Sequence, residues 1–142
     1  MDGYVGDDAR PVAGMQAGWI ATGDLGTLAA DGFLTVVGRV RDLLICGGFN
    51  VYPAIVEAAV NELPGVLDSA VAARPDERLG EVPVVALVTQ PGSTVDLAGL
   101  RQSLRERLAA YELPRRLALV DAIPRTANGK VDRRAVAALF GD

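Results

Sequence analysis

Lysine and cysteine each occur once in these 142 residues. The single Cys46 lies among apolar neighbours, which excludes an intrachain disulfide and implies a reduced setting. Aromatic residues make up only 5% of the chain and the net charge is −4, a poor basis for gripping nucleic acid. The longest purely apolar run, residues 82–88 with Pro83 inside it, is far too short to cross a bilayer. The opening Met1-Asp2-Gly3 lacks the basic and apolar blocks of a signal peptide. There is no internal repeat and no low-complexity tract. These shortages lead to the expectation of a soluble, cytoplasmic protein with neither a membrane nor a nucleic-acid partner.

Half of the residues are apolar, enough for one ordinary domain or one domain plus a piece of another. Charge is unevenly spread. Residues 1–100 hold 5 basic and 13 acidic side chains, a net −8, whereas residues 101–142 hold 9 basic and 5 acidic, a net +4. A basic end of this kind suits an anionic ligand, phosphate or carboxylate. It also holds the lysine. Arginine supplies 13 of the 14 basic residues, so Lys130 stands out. Its ammonium is a compact, movable point charge, unlike the planar guanidinium fork, and suits contact with two oxygens that are changing partners. Thr126, Asn128 and Gly129 make a polar turn before it, and Asp132 reads as the N-cap of a short terminal helix with Val136, Leu139 and Phe140 on its apolar side. That puts Lys130 on a loop tip, where it is either a functional cation or a solvated surface lysine.

Residues 1–17 show little periodicity and read as loop. Trp19–Thr22, Leu25–Ala29 and Phe33–Val37 read as short strands, the last two joined by the Asp31-Gly32 turn. A meander this small buries little by itself and looks like a fragment of a larger β subdomain. From Gly38 onward the pattern changes. Leu43–Cys46 is a short strand and Gly47-Gly48 a turn. Pro53 opens a helix carrying Ile55, Val56, Ala59, Val60 and Leu63, which Pro64-Gly65 ends. Strands follow at Val66–Ala73 and Val82–Thr89, around a polar loop at Arg74–Glu81. Asp96 caps a helix with the stripe Leu97, Leu100, Leu104, Leu108 and Tyr111. Pro114 stops it, and Leu117–Val120 is a third strand. The order β-α-β-β-α-β-α implies an α+β layer, a three-stranded sheet with helices packed on it, self-sufficient over 43–142.

Three glycine-punctuated segments complete the picture: Thr22-Gly23-Asp24, Gly38-Arg39-Val40-Arg41-Asp42 and Gly47-Gly48-Phe49-Asn50-Val51-Tyr52-Pro53. Each alone is an ordinary turn. In this order, preceded by Met1-Asp2-Gly3-Tyr4 and Gly18-Trp19 and followed by Pro124-Arg125-Thr126-Ala127-Asn128-Gly129-Lys130, they resemble the C-terminal part of the adenylate-forming enzymes. That family comprises acyl- and aryl-CoA synthetases, peptide-synthetase adenylation domains and firefly luciferase. The resemblance covers nearly the whole chain.

The resemblance implies a division into 1–38, the end of a large N-terminal domain; 39–42, a hinge; and 43–142, a mobile lid domain. It implies that Asp24 holds the ribose hydroxyls of ATP, that Arg39 contacts the nucleotide, and that Arg41 is the hinge residue, where the family more often has Asp or Lys. It assigns Gly47, Gly48, Phe49 and Asn50 to the channel for CoA, and Lys130 to the catalytic contact bridging the substrate carboxylate and the α-phosphate. The implied reaction activates a carboxylic acid with ATP and Mg2+ as acyl-AMP and passes it to CoA. Three positions depart from the family: Ala21 replaces a basic residue, Ile45 stands where many CoA ligases carry a lysine, and Ile55 stands where a glutamate is usual. No phosphate-binding glycine-rich loop and no acyl pocket lie in these residues, so the isolated chain is expected to be inactive. Two alternatives share the same residues: the equivalent subdomain of an enzyme that loads a carrier protein, and a non-catalytic interaction module.

Overall fold

The computed structural model describes residues 15, 16 and 19–141. The Met1-Tyr4 motif and Gly18 lie outside the described residues. The chain divides into two compact units, Met1–Arg41 and Asp42–Asp142.

The first unit is built of two antiparallel pairs. Strand β1 (Met15–Gln16) pairs with β2 (Trp19–Ile20), and β3 (Asp24–Leu28) with β4 (Leu34–Arg39). The turn between β3 and β4 forms where Asp31-Gly32 predicts it. The Phe33 amide donates to Asp31 Oδ1 at 3.1 Å, and Ala29 N–H donates to Phe33 O at 2.9 Å. A bulge between Leu25 and Gly26 shifts the register. Among the described residues no helix of this unit covers either face. Trp19 is 81% exposed and Phe33 74%, and Leu28, Leu34 and Val36 are exposed too. These side chains form an exposed apolar surface among the described residues.

The second unit, entered through a 3-10 turn at Val40–Asp42, holds the core. Its elements are β5 (Leu44–Cys46), β6 (Phe49–Val51), α1 (Pro53–Asn61), β7 (Val66–Asp76), β8 (Gly80–Thr89), α2 (Leu97–Leu104), β9 (Arg116–Leu119) and α3 (Arg133–Ala138). The three expected strands are present as β7, β8 and β9, and the hairpin β5–β6 extends them to a five-stranded sheet. β7 pairs with one edge of β8 along its length. The other edge of β8 is shared: β5 bridges it at Gly80, and β9 runs parallel to it over Val84–Leu87. Strands of three residues, such as β5 and β6, carry too little alternation to be recognised as part of a sheet from sequence.

Period-two alternation sorts the central strands onto two faces. Val71, Val85 and Leu87 point to a core shared with Val56 and Val60 of α1 and Leu100 and Leu104 of α2. Ala70, Ala72, Val84 and Ala86 point the other way, against Ile123 and Val136 of α3. Small residues on that second face let α3 lie close to the sheet. With both faces covered, residues 82–87 of β8 are buried without a break.

The helix starts follow the caps. Pro53 occupies the first turn of α1. Asp96 Oδ1 accepts from Gly99 N–H at 2.7 Å, and Asp132 Oδ1 accepts from Arg134 and Ala135 N–H at 3.1 Å each. The ends differ more from expectation. α2 stops at Leu104 rather than running to Tyr111. Its last turns tighten to bonds from Arg105 N–H to Gln102 O and from Arg107 N–H to Leu104 O, which drops Leu108 and Leu113 into the core outside the helix. α3 ends at Ala138, so Leu139 is left 43% exposed instead of joining the apolar side.

Because the described residues of the second unit form a buried core and those of the first do not, their local stabilities should diverge. In hydrogen exchange on this chain alone, amides of β3 and β4 are expected to exchange at least about 100-fold faster than those of β7 and β8. Equal protection would mean that the hairpin is stable without a covering layer.

Candidate functional site

Asp24 and Arg39, the two residues assigned to the nucleotide, are cross-strand partners at the open end of the β3–β4 hairpin. Arg39 Nε lies 3.1 Å from Asp24 Oδ1, with both side chains partly exposed. The hairpin end is tied by Val40 N–H to Gly23 O at 2.9 Å, and Asp24 N–H donates to Thr22 Oγ1 at 3.1 Å. In this pairing Arg39 holds the carboxylate in place while leaving it accessible to hydroxyl groups, for which a carboxylate has acceptor sites to spare.

The Gly47-Gly48 turn joins β5 to β6, with Cys46 opposite Phe49. Both glycines have positive φ, 58° and 86°, the signature of the two-residue turn whose twist matches a hairpin. Gly47 N–H donates to Leu79 O at 2.8 Å, docking the turn on the β7–β8 connection. That connection is held by Asp76, whose carboxylate accepts from Arg78 N–H at 3.0 Å and Leu79 N–H at 2.9 Å. Those backbone donors hold the Asp76 carboxyl below its ordinary range. Phe49 projects from the turn, 56% exposed, and stacks on Tyr111 with ring centroids 4.6 Å apart. Ile45 is half exposed, and its N–H donates to Glu81 Oε2 at 2.9 Å. Asn50 is exposed. Cys46 is buried in the core, and burial pushes its thiol up.

Lys130 is exposed on a tight loop between Ile123 and α3. Arg125 and Val131 form an antiparallel bridge across the loop. Lys130 O accepts from Thr126 N–H at 2.7 Å and from Thr126 Oγ1 at 3.3 Å, and Gly129 turns the chain with φ of 77°. Asp132 N–H to Pro124 O, 2.9 Å, closes the base. The loop backbone is thus tied by several hydrogen bonds, while the Lys130 ammonium has no ion-pair or hydrogen-bond partner among the described residues.

Two ion pairs fasten this loop to the sheet, and neither was foreseen from the sequence. Upstream, Arg125 reaches Asp68 Oδ2 at 2.8 Å. Downstream, Arg133 bonds both the Glu57 carboxylate on α1 and the Val71 carbonyl on β7. Val71 N–H in turn donates to Glu57 Oε1 at 2.8 Å. The outward-facing N–H and C=O of an edge-strand residue are therefore both satisfied by one ion pair. Arg133 and Glu57 stand 76 positions apart, so only the fold pairs them; Asp132-Arg133 in sequence signals no more than a cap followed by a basic residue.

The turn and the Lys130 loop occupy different parts of the unit. β5 meets β8 at Gly80, whereas Asp68, the upstream anchor, pairs with Val88 near the other end of β8. At ~3.4 Å per residue these anchor points lie ~27 Å apart along the strand. They also belong to different faces. Tyr111, under Phe49, packs on the α1–α2 core, and Ile123 and Val136, which flank the loop, form the α3 core. Among the described residues no group of three or more His, Cys, Asp or Glu side chains could hold a metal, and no helix is long and apolar enough to cross a membrane.

The sequence pattern of the AMP-binding enzyme C-terminal domain matches residues 55–130, more than half of the chain, and the chain belongs to that family. Indoleacetate–CoA ligase of Aromatoleum aromaticum is 41% identical over 131 residues, covering 92% of this chain and 26% of that protein. Among solved structures, o-succinylbenzoate CoA synthetase from Bacillus subtilis, in complex with its acyl-adenylate intermediate, matches at 40% identity and a TM-score of 0.82, over 87% of this chain and 25% of that one. Amide bond synthetase McbA from Marinactinospora thermotolerans matches at 37% identity and 0.86, over 99% and 29%. The chain spans about a quarter of the length of the curated relatives it matches.

The backbone of the Gly47-Gly48 turn can be tested separately from its function. A Cβ at Gly48 would meet no atom within 4 Å, so Gly48→Ala adds only the cost of a side chain at positive φ, about 1–2 kcal/mol. Urea unfolding of the variant should register that loss. Unchanged stability would mean that the turn relaxes to another type.

Proposed function

We propose that this chain is the C-terminal lid of an ATP-dependent acid–thiol ligase that forms AMP. In the first half-reaction a carboxylate oxygen attacks the α-phosphorus of ATP. The bond to the β-phosphate oxygen breaks, giving acyl-AMP and pyrophosphate. Lys130 would hold the carboxylate and α-phosphate oxygens together, its ammonium stabilising the charge that builds on both. Asp24 would take the ribose hydroxyls and Arg39 would steady Asp24 and the nucleotide. In the second half-reaction the CoA thiolate attacks the acyl carbon, the thioester bond forms and AMP leaves, with Gly47, Gly48, Phe49 and Asn50 lining the thiol's approach. Mg2+ would accompany ATP against residues of a large N-terminal domain, as would the acid itself. A reduced cytoplasmic setting accords with the single buried Cys46.

The observation that carries this reading is Lys130: the sole lysine of a family member, held on a hydrogen-bonded loop with an exposed ammonium. The separation of that loop from the Gly47-Gly48 turn supports a lid used in two placements, one for each half-reaction. The break between the units after Arg41 supports a hinge there and a boundary close to 39–42. A carrier-protein thiol or another nucleophile as acceptor is the second reading. It is favoured by the exposed Ile45, where many CoA ligases carry lysine, and by the likeness to an amide bond synthetase.

In the complete enzyme, Lys130→Ala is expected to slow ATP–pyrophosphate exchange by about 10²–10³, roughly 3–4 kcal/mol of transition-state stabilisation. Thioester formation from supplied acyl-adenylate and CoA should change far less, because that step bypasses Lys130. Equal losses in both assays would contradict the assignment. This chain by itself should give no exchange above its own Lys130→Ala control. Parallel thioester assays with CoA and with a carrier protein separate the two acceptors.

A further inference from the structure

We propose that Arg133 is a positioning residue for Lys130, acting through the clamp it makes with Glu57 and Val71; the inference rests on the adenylating role assigned to Lys130 above. Lys130 needs both mobility at its ammonium and a fixed backbone beneath it. The loop supplies the second only if both of its ends are held. At the upstream end Arg125 and Asp68 form a pair whose side chains are 44% and 37% exposed, and such a pair is screened by solvent and salt. At the downstream end Arg133 and Glu57 are 25% and 16% exposed and share their bonds with the backbone of an edge strand.

That second anchor is directional. The guanidinium is a rigid fork, and here it reaches a carboxylate and a carbonyl at once, with a second nitrogen 3.4 Å from Glu57 Oε2. Its Nε also lies 3.8 Å from Asp42 Oδ2, at the first residue of the second unit. Arg133 is the first residue of α3, directly after the cap Asp132, so the clamp ties the first turn of the helix to the sheet edge. The cap sets where the loop closes, through Asp132 N–H to Pro124 O. The orientation of Lys130 thus follows from a chain of contacts ending at Arg133. A displacement of about 1 Å at a reacting group can cost on the order of 100-fold in rate. Loss of the clamp should therefore be felt at Lys130, and not at the Gly47-Gly48 turn, whose own anchor is Leu79 O.

The test uses the complete enzyme with Arg133→Met, Arg133→Lys, Lys130→Ala and the double variant Lys130→Ala/Arg133→Met. Arg133→Met is expected to lower the rate of ATP–pyrophosphate exchange by about 10–100-fold with KM values changed little. Thioester formation from supplied acyl-adenylate and CoA should stay within about threefold. Arg133→Lys keeps the charge without the fork and should show a smaller loss confined to the same half-reaction, so it carries the test if Arg133→Met fails to fold. Because Arg133 acts only through Lys130, the double variant should be no slower than Lys130→Ala alone. Multiplying losses in the double variant, or equal losses in both half-reactions, would overturn the inference and leave Arg133 a general structural contact. No loss from either substitution would overturn it as well. If Lys130→Ala itself leaves exchange unchanged, the adenylating role fails and takes this inference with it, an outcome distinct from the others.

Discussion

At the edge of β7 the second unit ties its two helical layers together. An edge strand presents unpaired N–H and C=O groups, and at Val71 both are met by a single ion pair, Glu57 with Arg133. Glu57 belongs to α1 on one face of the sheet and Arg133 to α3 on the other. The pair therefore fastens two helices of opposite layers to each other across the strand edge. Hydrogen bonds to charged groups contribute about 1.5–3 kcal/mol each when shielded, and less in a partly exposed setting such as this one. Their geometric consequence is larger than their energy. α3 is only Arg133–Ala138 and buries Val136 alone among its residues, so its start rests on the Asp132 cap and this clamp together.

From that clamp the arrangement of the site follows. The Asp132 cap and the Pro124 carbonyl close the Lys130 loop, and the loop exposes the Lys130 side chain on the α3 side. The Gly47-Gly48 turn is anchored independently, through Leu79 and the Asp76 turn, and carries its aromatic stack on the α1–α2 side. The two surfaces are anchored separately and pack on different faces of the unit. That separation accords with the proposed use of two placements of the lid, one for each half-reaction.

Much of the fold was legible because caps and turns are local chemistry. Asp96, Asp132, Pro53 and the Gly47-Gly48 pair act on residues within a turn of themselves, and each stands where its sequence signal puts it. The short apolar strands at 66–73 and 82–89 were equally local signals. What could not be read was non-local. The hairpin β5–β6 joins the sheet through one bridge, Cys46 to Gly80, and the Arg133–Glu57 and Arg125–Asp68 pairs link residues 76 and 57 positions apart. The early end of α2 is of the same kind: helical spacing continues through Leu108 and Tyr111, but tertiary packing draws Leu108 and Leu113 inward from turns. Among the candidate site residues, the cross-strand pairing of Asp24 with Arg39 needed the register of a bulged hairpin, which spacing alone does not supply.

The two-placement account is tested most directly at the proposed hinge, by comparing the two half-reactions in the complete enzyme carrying Arg41→Pro. Proline fixes φ near −65° and removes an N–H, so it restricts the backbone that must absorb the rotation. Arg41→Ala removes the same charge and leaves the backbone free. If the lid adenylates in one placement and transfers in the other, Arg41→Pro should keep adenylate formation within about tenfold, roughly 1.4 kcal/mol. Thioester formation should fall far further, while Arg41→Ala spares both. Parallel slowing of both half-reactions by Arg41→Pro with a lower melting temperature, or equal damage from Arg41→Ala, would contradict the account.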